Sequence, residues 1–163
     1  MRIQTEPPTS PADYPFSHSI RVRFAETDAM GIVHHAAYLP YLEAARVEYL
    51  RAIDRPYTVL RESGVDLAVI EAHVRYIRPL QFDDVVEVHV VMSASTRATL
   101  QMSYLLIANG QRVATAVTAH ACVDPEGRPT RMPTWLAALS VPSDEQVSSR
   151  SVPQVGDNQQ SAS

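Results

Sequence analysis

The stretch SIRVRFAETDAMGIVHHAAYLPYLEAARVEYLRA, residues Ser19–Ala52, changes its hydrophobic period once, and that change decides the fold. Ser19 to Phe24 alternates, with Ile20, Val22 and Phe24 on one side, which predicts a first strand. A connection containing Gly31 follows, from Glu26 to Val33. From about Ala36 the apolar residues Tyr38, Tyr41, Leu42, Ala45, Tyr49 and Ala52 recur at spacings of three and four, one stripe of a long helix. Pro40 is tolerated only in a helix's first turn, so the helix starts just before it, and Pro56 lies beyond its end.

Downstream the chain turns β-rich. Asp66–Arg78, Val85–Met92, Thr99–Ala108 and Arg112–Val123 carry β-branched or alternating apolar runs, and Asn109-Gly110 between the last two predicts a tight hairpin. A long helix with so apolar a stripe needs a sheet to cover it. The economical solution is α+β: one domain in which a five-stranded antiparallel sheet wraps around one long central helix. A doubly wound reading fails, because no further helices alternate with the later strands.

The 163 residues, 45% of them hydrophobic, suit a single globular domain. Its limits are read as 16–139. Residues 1–15 (Pro7, Pro8, Pro11 and Pro15 among polar residues) and residues 140–163 (rich in Ser, Gln and Asn) are read as disordered tails. A net charge of −4 without any basic run argues against nucleic-acid binding. All 14 basic residues are arginine, so lysine Schiff-base chemistry is excluded. The lone Cys122 lies in an alternating apolar run and is read as a small core residue. The N-terminus has no secretory signal pattern, and no apolar run is long enough to span a bilayer. The expected location is cytoplasmic.

Between strand and helix, Phe24 to Tyr38 collects Glu26, Asp28, Gly31, His34 and His35. Unsatisfied amide groups of a helix's first turn, with the positive end of the dipole behind them, stabilise an oxyanion or a polarised carbonyl. Asp28 lies just upstream, placed either to reach a bound carbonyl, to activate a water, or simply to cap the turn.

The run T-D-A-x-G-I-V-H-H-x-x-Y-x-x-Y-x-E-x-A-R, Thr27 to Arg46, resembles the 4-hydroxybenzoyl-CoA thioesterase family of hot-dog proteins. The likeness is to the branch containing the Tol–Pal-associated acyl-CoA thioesterases, and it continues through Val74–Pro79, Asp83-Asp84 and Cys122–Asp124. It covers Ser17 to Pro133. The resemblance implies hydrolysis of an acyl-CoA thioester with no metal or redox cofactor, CoA entering as part of the substrate. It gives Asp28 the role of nucleophile or general base. It gives His35 a backbone N–H that polarises the carbonyl and a side chain that assists. Gly31 matches a glycine that lets the loop approach the acyl group, and Tyr38 a residue lining the acyl pocket. Val33 and His34 belong to the same substrate-binding stretch. Phe24 stands where the branch often has tyrosine, and Ala25 where it sometimes has an acid. The resemblance further implies a dimer joined edge to edge, then a dimer of dimers, with the active sites at the dimer interface.

Glu43, within the helix, is either a buried hydrogen-bonding acid or a second acid near the pocket, and Glu26 is a weaker candidate beside Asp28. Arg97 matches a region that in relatives contacts CoA phosphates, a task that suits a guanidinium. His18, His73, His89 and His120 lie scattered on predicted strands without metal-ligand spacing. Two rival functions share this fold. One is dehydration or hydration of a 3-hydroxyacyl thioester, with His35 and Asp28 as acid and base. The other is non-catalytic acyl-CoA binding. Thioesters on an acyl carrier protein are an alternative donor.

Overall fold

The helical stripe and the strand alternation meet in a computed structural model that describes residues 3–140. Strand β1 (Phe16–Arg21) leads through the connection to helix α1 (Tyr38–Ala52), followed by α2 (Tyr57–Glu62), β2 (Asp66–Tyr76), β3 (Val85–Ser95), β4 (Thr99–Ala108), β5 (Gln111–Val123) and α3 (Thr134–Ala137). The five strands form one antiparallel sheet in the order β1-β3-β4-β5-β2, so β1 and β2 are its edges. The hairpin between β4 and β5 turns where expected, with Asn109 and Gly110 both at positive φ (52° and 69°).

One helix can serve as the core because α1 buries Tyr38, Tyr41, Leu42, Ala45, Tyr49 and Leu50 against the sheet's inner face. That face supplies Val86, Val88, Val90 and Met92 from β3 and Leu100, Met102, Tyr104 and Leu106 from β4. Each fully buried Leu or Val contributes roughly 1.5–3 kcal/mol of transfer free energy. Pro40 sits in the first turn of α1, where its missing N–H is no loss. Asp54, at φ 56°, turns the chain away after the last turn.

One sequence expectation is corrected, and two features add to the reading. The first strand spans Phe16–Arg21, not Ser19–Phe24, since pairing with β3 ends at Arg21 and Phe24 starts a 3-10 turn, 74% exposed. The short helices α2 and α3 add to the one long helix expected from the sequence. Residues 3–15 follow a defined path across the outer face of the sheet. There Tyr14 packs on Val91 and Leu105, and the Gln4 backbone exchanges two hydrogen bonds with the Gln101 side chain. The physical reason is an apolar patch on that outer face, Val91, Leu105 and Ile107, which needs cover. The segment read as a C-terminal tail lies, from residue 141 on, outside the described residues.

Candidate active site

Two backbone constraints shape the connection between β1 and α1. Thr27 and Val33 form an antiparallel bridge, and between them Asp28 N–H donates to the Ile32 carbonyl at 2.8 Å. The loop so closed is short enough to require Gly31 at φ 74°. A Cβ at Gly31 would meet nothing within 4 Å, so the glycine serves the turn rather than a close approach. Inside this turn the Asp28 carboxylate is half-buried, and its Oδ1 accepts the Met30 N–H at 2.8 Å.

The loop is anchored at both ends. Val33 N–H donates to the Leu80 carbonyl and His34 N–H to the Glu26 carbonyl, each at 2.8 Å. Glu26 does not join Asp28 as a reactive group, since its side chain is consumed in structure. It accepts from Tyr41 Oη at 2.5 Å, from Arg23 N–H at 2.8 Å and from the Arg23 guanidinium. Burial works against the Glu26 charge, but the bonds from Tyr41 and Arg23 outweigh it and hold the carboxyl below its ordinary range. Burial and the same hydrogen bond push the Tyr41 phenol upward.

The chain enters α1 through a 3-10 turn, His35–Ala37. His34 caps it, with Nδ1 accepting the Ala36 N–H at 3.2 Å, and its ring stacks on that of His35 at 4.1 Å. Ala37 N–H goes to the His34 carbonyl. The His35 N–H has no acceptor among the described residues, so the start of the helix presents an open donor. Tyr76 Oη, from the end of β2, donates to the His35 carbonyl at 3.0 Å and fixes the turn against the sheet edge.

These pieces meet in a cleft of about 350 Å³ lined by Asp28, Val33, His35 and Tyr38, with Met30 and Ile32 from the loop and Tyr76–Pro79 opposite. Tyr38 is buried, stands edge-on to Tyr76 at 5.0 Å, and has its phenol pushed upward by burial. Asp28, Val33, His35 and Tyr38 are thus brought together. Gly31 shapes the loop, and His34 caps the turn at the cleft's border. Sequence reasoning missed Tyr76 and Arg78 as site residues. The available signal was an aromatic residue closing an otherwise exposed strand.

Two candidates lie elsewhere. Glu43 is exposed and lines a second cavity, between α1 and the β5–β2 edge, that does not include Asp28. Arg97 is exposed in the β3–β4 turn. Tyr76 pairs with Ala114, Ala114 with Leu106 and Leu106 with Val88, so the Asp28 cleft stands at the start of β3 and Arg97 just beyond its end. Within one chain they occupy opposite ends of the sheet. Among the described residues no three His, Cys, Asp or Glu side chains cluster as metal ligands, and no helix is long and apolar enough to cross a membrane.

Comparison with known proteins agrees with this architecture. An acyl-CoA thioesterase of Haemophilus influenzae is 34% identical over 113 residues, covering 69% of this chain and 83% of that protein. The crystal structure of a hypothetical protein from Aquifex aeolicus superposes with a TM-score of 0.73 at 38% identity, covering 77% of this chain and 98% of that one. A Thermus thermophilus thioesterase solved with coenzyme A and zinc matches with a TM-score of 0.64 at 32% identity, over 74% of this chain and 86% of that one. The family model of the thioesterase-like superfamily matches residues 22–139, which takes in the wrapped helix and the whole Asp28 loop, and this hot-dog protein belongs to that superfamily.

Proposed function

We propose that this chain hydrolyses acyl-CoA thioesters at the Asp28 cleft. The observation that carries the reading is the pairing of a half-buried carboxylate with the open His35 N–H across one small apolar cleft. The thioester carbonyl accepts the His35 N–H, which stabilises the oxyanion formed on attack. Asp28 then acts in one of two ways. As nucleophile, its free oxygen adds to the carbonyl carbon, the C–S bond breaks, CoA leaves as thiolate, and water cleaves the mixed anhydride. As general base, it takes a proton from water, the hydroxyl oxygen attacks, and that proton ends on the departing sulfur. The hydrogen bond from Met30 to Oδ1 orients the carboxylate in either route. The His35 imidazole, which lines the same cleft, assists proton movement. Val33 and Tyr38 form the wall against the acyl carbons. This scheme draws on no bound metal or redox cofactor.

The site is completed by a second copy. The outer edge of β2 is unpaired, and Val69, Ile70, Tyr76 and Ile77 are 40–59% exposed along it. An unpaired 11-residue edge strand carrying such exposed apolar side chains is a surface that invites strand pairing. Antiparallel pairing of two such edges sets the Arg97 end of one copy near the Asp28 end of the other, where a guanidinium can bind CoA phosphates. The sequence resemblance favours the Tol–Pal-associated acyl-CoA thioesterase branch. Release of free thiol from acyl-CoAs of increasing length tests the proposal. Turnover of at least one of them supports it, and absence of turnover across aliphatic and aromatic acyl groups refutes it.

A further inference from the structure

The turn that presents the His35 N–H is only three residues long, His35–Ala37, and so short a 3-10 segment holds its own shape weakly. Within it the His34 carbonyl accepts the Ala37 N–H at 2.9 Å, and the Ala36 N–H goes to His34 Nδ1 at 3.2 Å. The His35 carbonyl receives the Tyr76 phenol at 3.0 Å. A carbonyl only accepts, so the phenol donates and has to keep its proton. Burial holds the Tyr76 pKa above its ordinary value, so the proton stays at neutral pH. The planar peptide between His35 and Ala36 is thereby gripped from both sides, its N–H by His34 and its carbonyl by Tyr76. Fixing that plane limits the rotation of residue 35, whose own N–H is the donor left open at the cleft.

Tyr76 can serve as a fixed point because it belongs to the sheet and not to the loop. It is the last residue of β2 and pairs with Ala114 of β5. Directly after it, the Ile77 and Arg78 N–H groups both donate to the Val113 carbonyl, at 2.9 and 3.0 Å. Its ring stands edge-on to buried Tyr38 at 5.0 Å, which sets the direction of the phenol. The side chain is otherwise 49% exposed, so it is no part of the core. An oxyanion donor works only when it is aimed where the charge develops, and small misplacements near the reacting atoms are expensive in rate. We propose that Tyr76 is a positioning residue for the hydrolysis: through the His35 carbonyl it aims the His35 N–H at the thioester oxygen. This rests on the acyl-CoA reading above. Tyr76 itself moves no proton and forms no bond to the substrate.

The test is a double-mutant cycle in the full chain, read by thiol release from the acyl-CoA that the wild type turns over best. Tyr76→Phe keeps the ring and its contact with Tyr38 and deletes only the hydroxyl. It is expected to lower kcat about 10-fold, a part of the 10²–10³ that loss of the whole donor costs, with KM within about twofold of wild type. In a His35→Pro background no N–H is left to aim, so the same substitution is expected to change kcat by less than about twofold. Circular dichroism confirms that all four proteins are folded. Amide exchange followed by NMR needs no substrate, and exchange at Ala36 is expected to quicken at least about threefold in Tyr76→Phe. A Tyr76→Phe kcat within about twofold of wild type, a loss carried by KM instead, an equal 10-fold loss in His35→Pro, or unchanged exchange at Ala36 overturns the inference. A wild type that turns over no acyl-CoA fails the hydrolase reading and this inference with it. Wild-type turnover untouched by Tyr76→Phe fails this inference alone.

Discussion

Replacing His35 with proline removes its backbone N–H together with its imidazole, and His35→Ala separates the two losses. The proposed oxyanion donor is the His35 backbone N–H, which has no acceptor among the described residues, so its deletion breaks no internal hydrogen bond. Proline is accommodated at the first position of a helical turn, and it asks its predecessor to be extended. His34 already is, at φ −59° and ψ 136°. The His35 carbonyl still receives Tyr76. Folding stability is therefore expected to stay within about 0.5 kcal/mol of wild type, the scale of a substitution that breaks no named interaction. The rate is another matter. Removing one oxyanion donor costs about 10²–10³ in kcat, or roughly 3–4 kcal/mol of transition-state stabilisation. His35→Ala is the control, since it deletes the imidazole but keeps the N–H. The assay is thiol release followed with a chromogenic disulfide, alongside urea denaturation of all three proteins. A folded His35→Pro enzyme whose kcat stays within about threefold of His35→Ala would refute the oxyanion assignment.

Three further outcomes follow from the geometry. Tyr41→Phe deletes the 2.5 Å bond to Glu26 and is expected to cost about 1.5–3 kcal/mol at pH 7 in urea melts. Because the Glu26 pKa lies below its unfolded value, that stabilisation is present above the ordinary carboxylate range and is lost as pH falls through the folded pKa. The cost of Tyr41→Phe should therefore shrink in acid, and an undiminished cost there counts against the Glu26 bond. Gly31→Ala meets no steric obstacle but must hold φ 74°, so about 1–2 kcal/mol of strain is expected, and equal stability to wild type would show that the turn relaxes freely. His120, pushed down to about 3 by burial and the Arg46 charge, binds fewer protons folded than unfolded between about pH 3 and 6.5. Stability therefore falls as pH drops through that window, by up to about 1.4 kcal/mol per unit, and His120→Leu is expected to flatten the slope. An identical pH profile in the variant would remove His120 as the cause.

The fold is legible wherever a local pattern has one physical solution. The Tyr38–Ala52 stripe fixes the helix, Pro40 fixes its start, and Asn109-Gly110 fixes a hairpin because both residues accept positive φ. The pattern misplaces strand β1 because Val22 and Phe24 continue its alternation past Arg21, where the pairing partner runs out. Residues 3–15 read as a tail because prolines and polar residues say nothing about the apolar outer face that Tyr14 covers. In the site, Asp28 and His35 are legible from their place between a strand and a helix. Glu26 cannot be separated from Asp28 by sequence distance. Only the fold brings Tyr41, 15 residues on, to occupy it. His120 looks like one scattered strand histidine, since Thr118 and Tyr104 converge with it only in the folded sheet.

The most direct measurement is the kcat/KM of Asp28→Asn against wild type on whichever acyl-CoA the wild type turns over best. Asparagine keeps the side-chain oxygen that accepts the Met30 N–H, so the loop is retained while the nucleophile or base is lost. The expected result is a fall of about 10³-fold or more in a protein as stable as wild type. A folded Asp28→Asn enzyme working within a few-fold of wild type would contradict the assignment of the chemistry to this carboxylate.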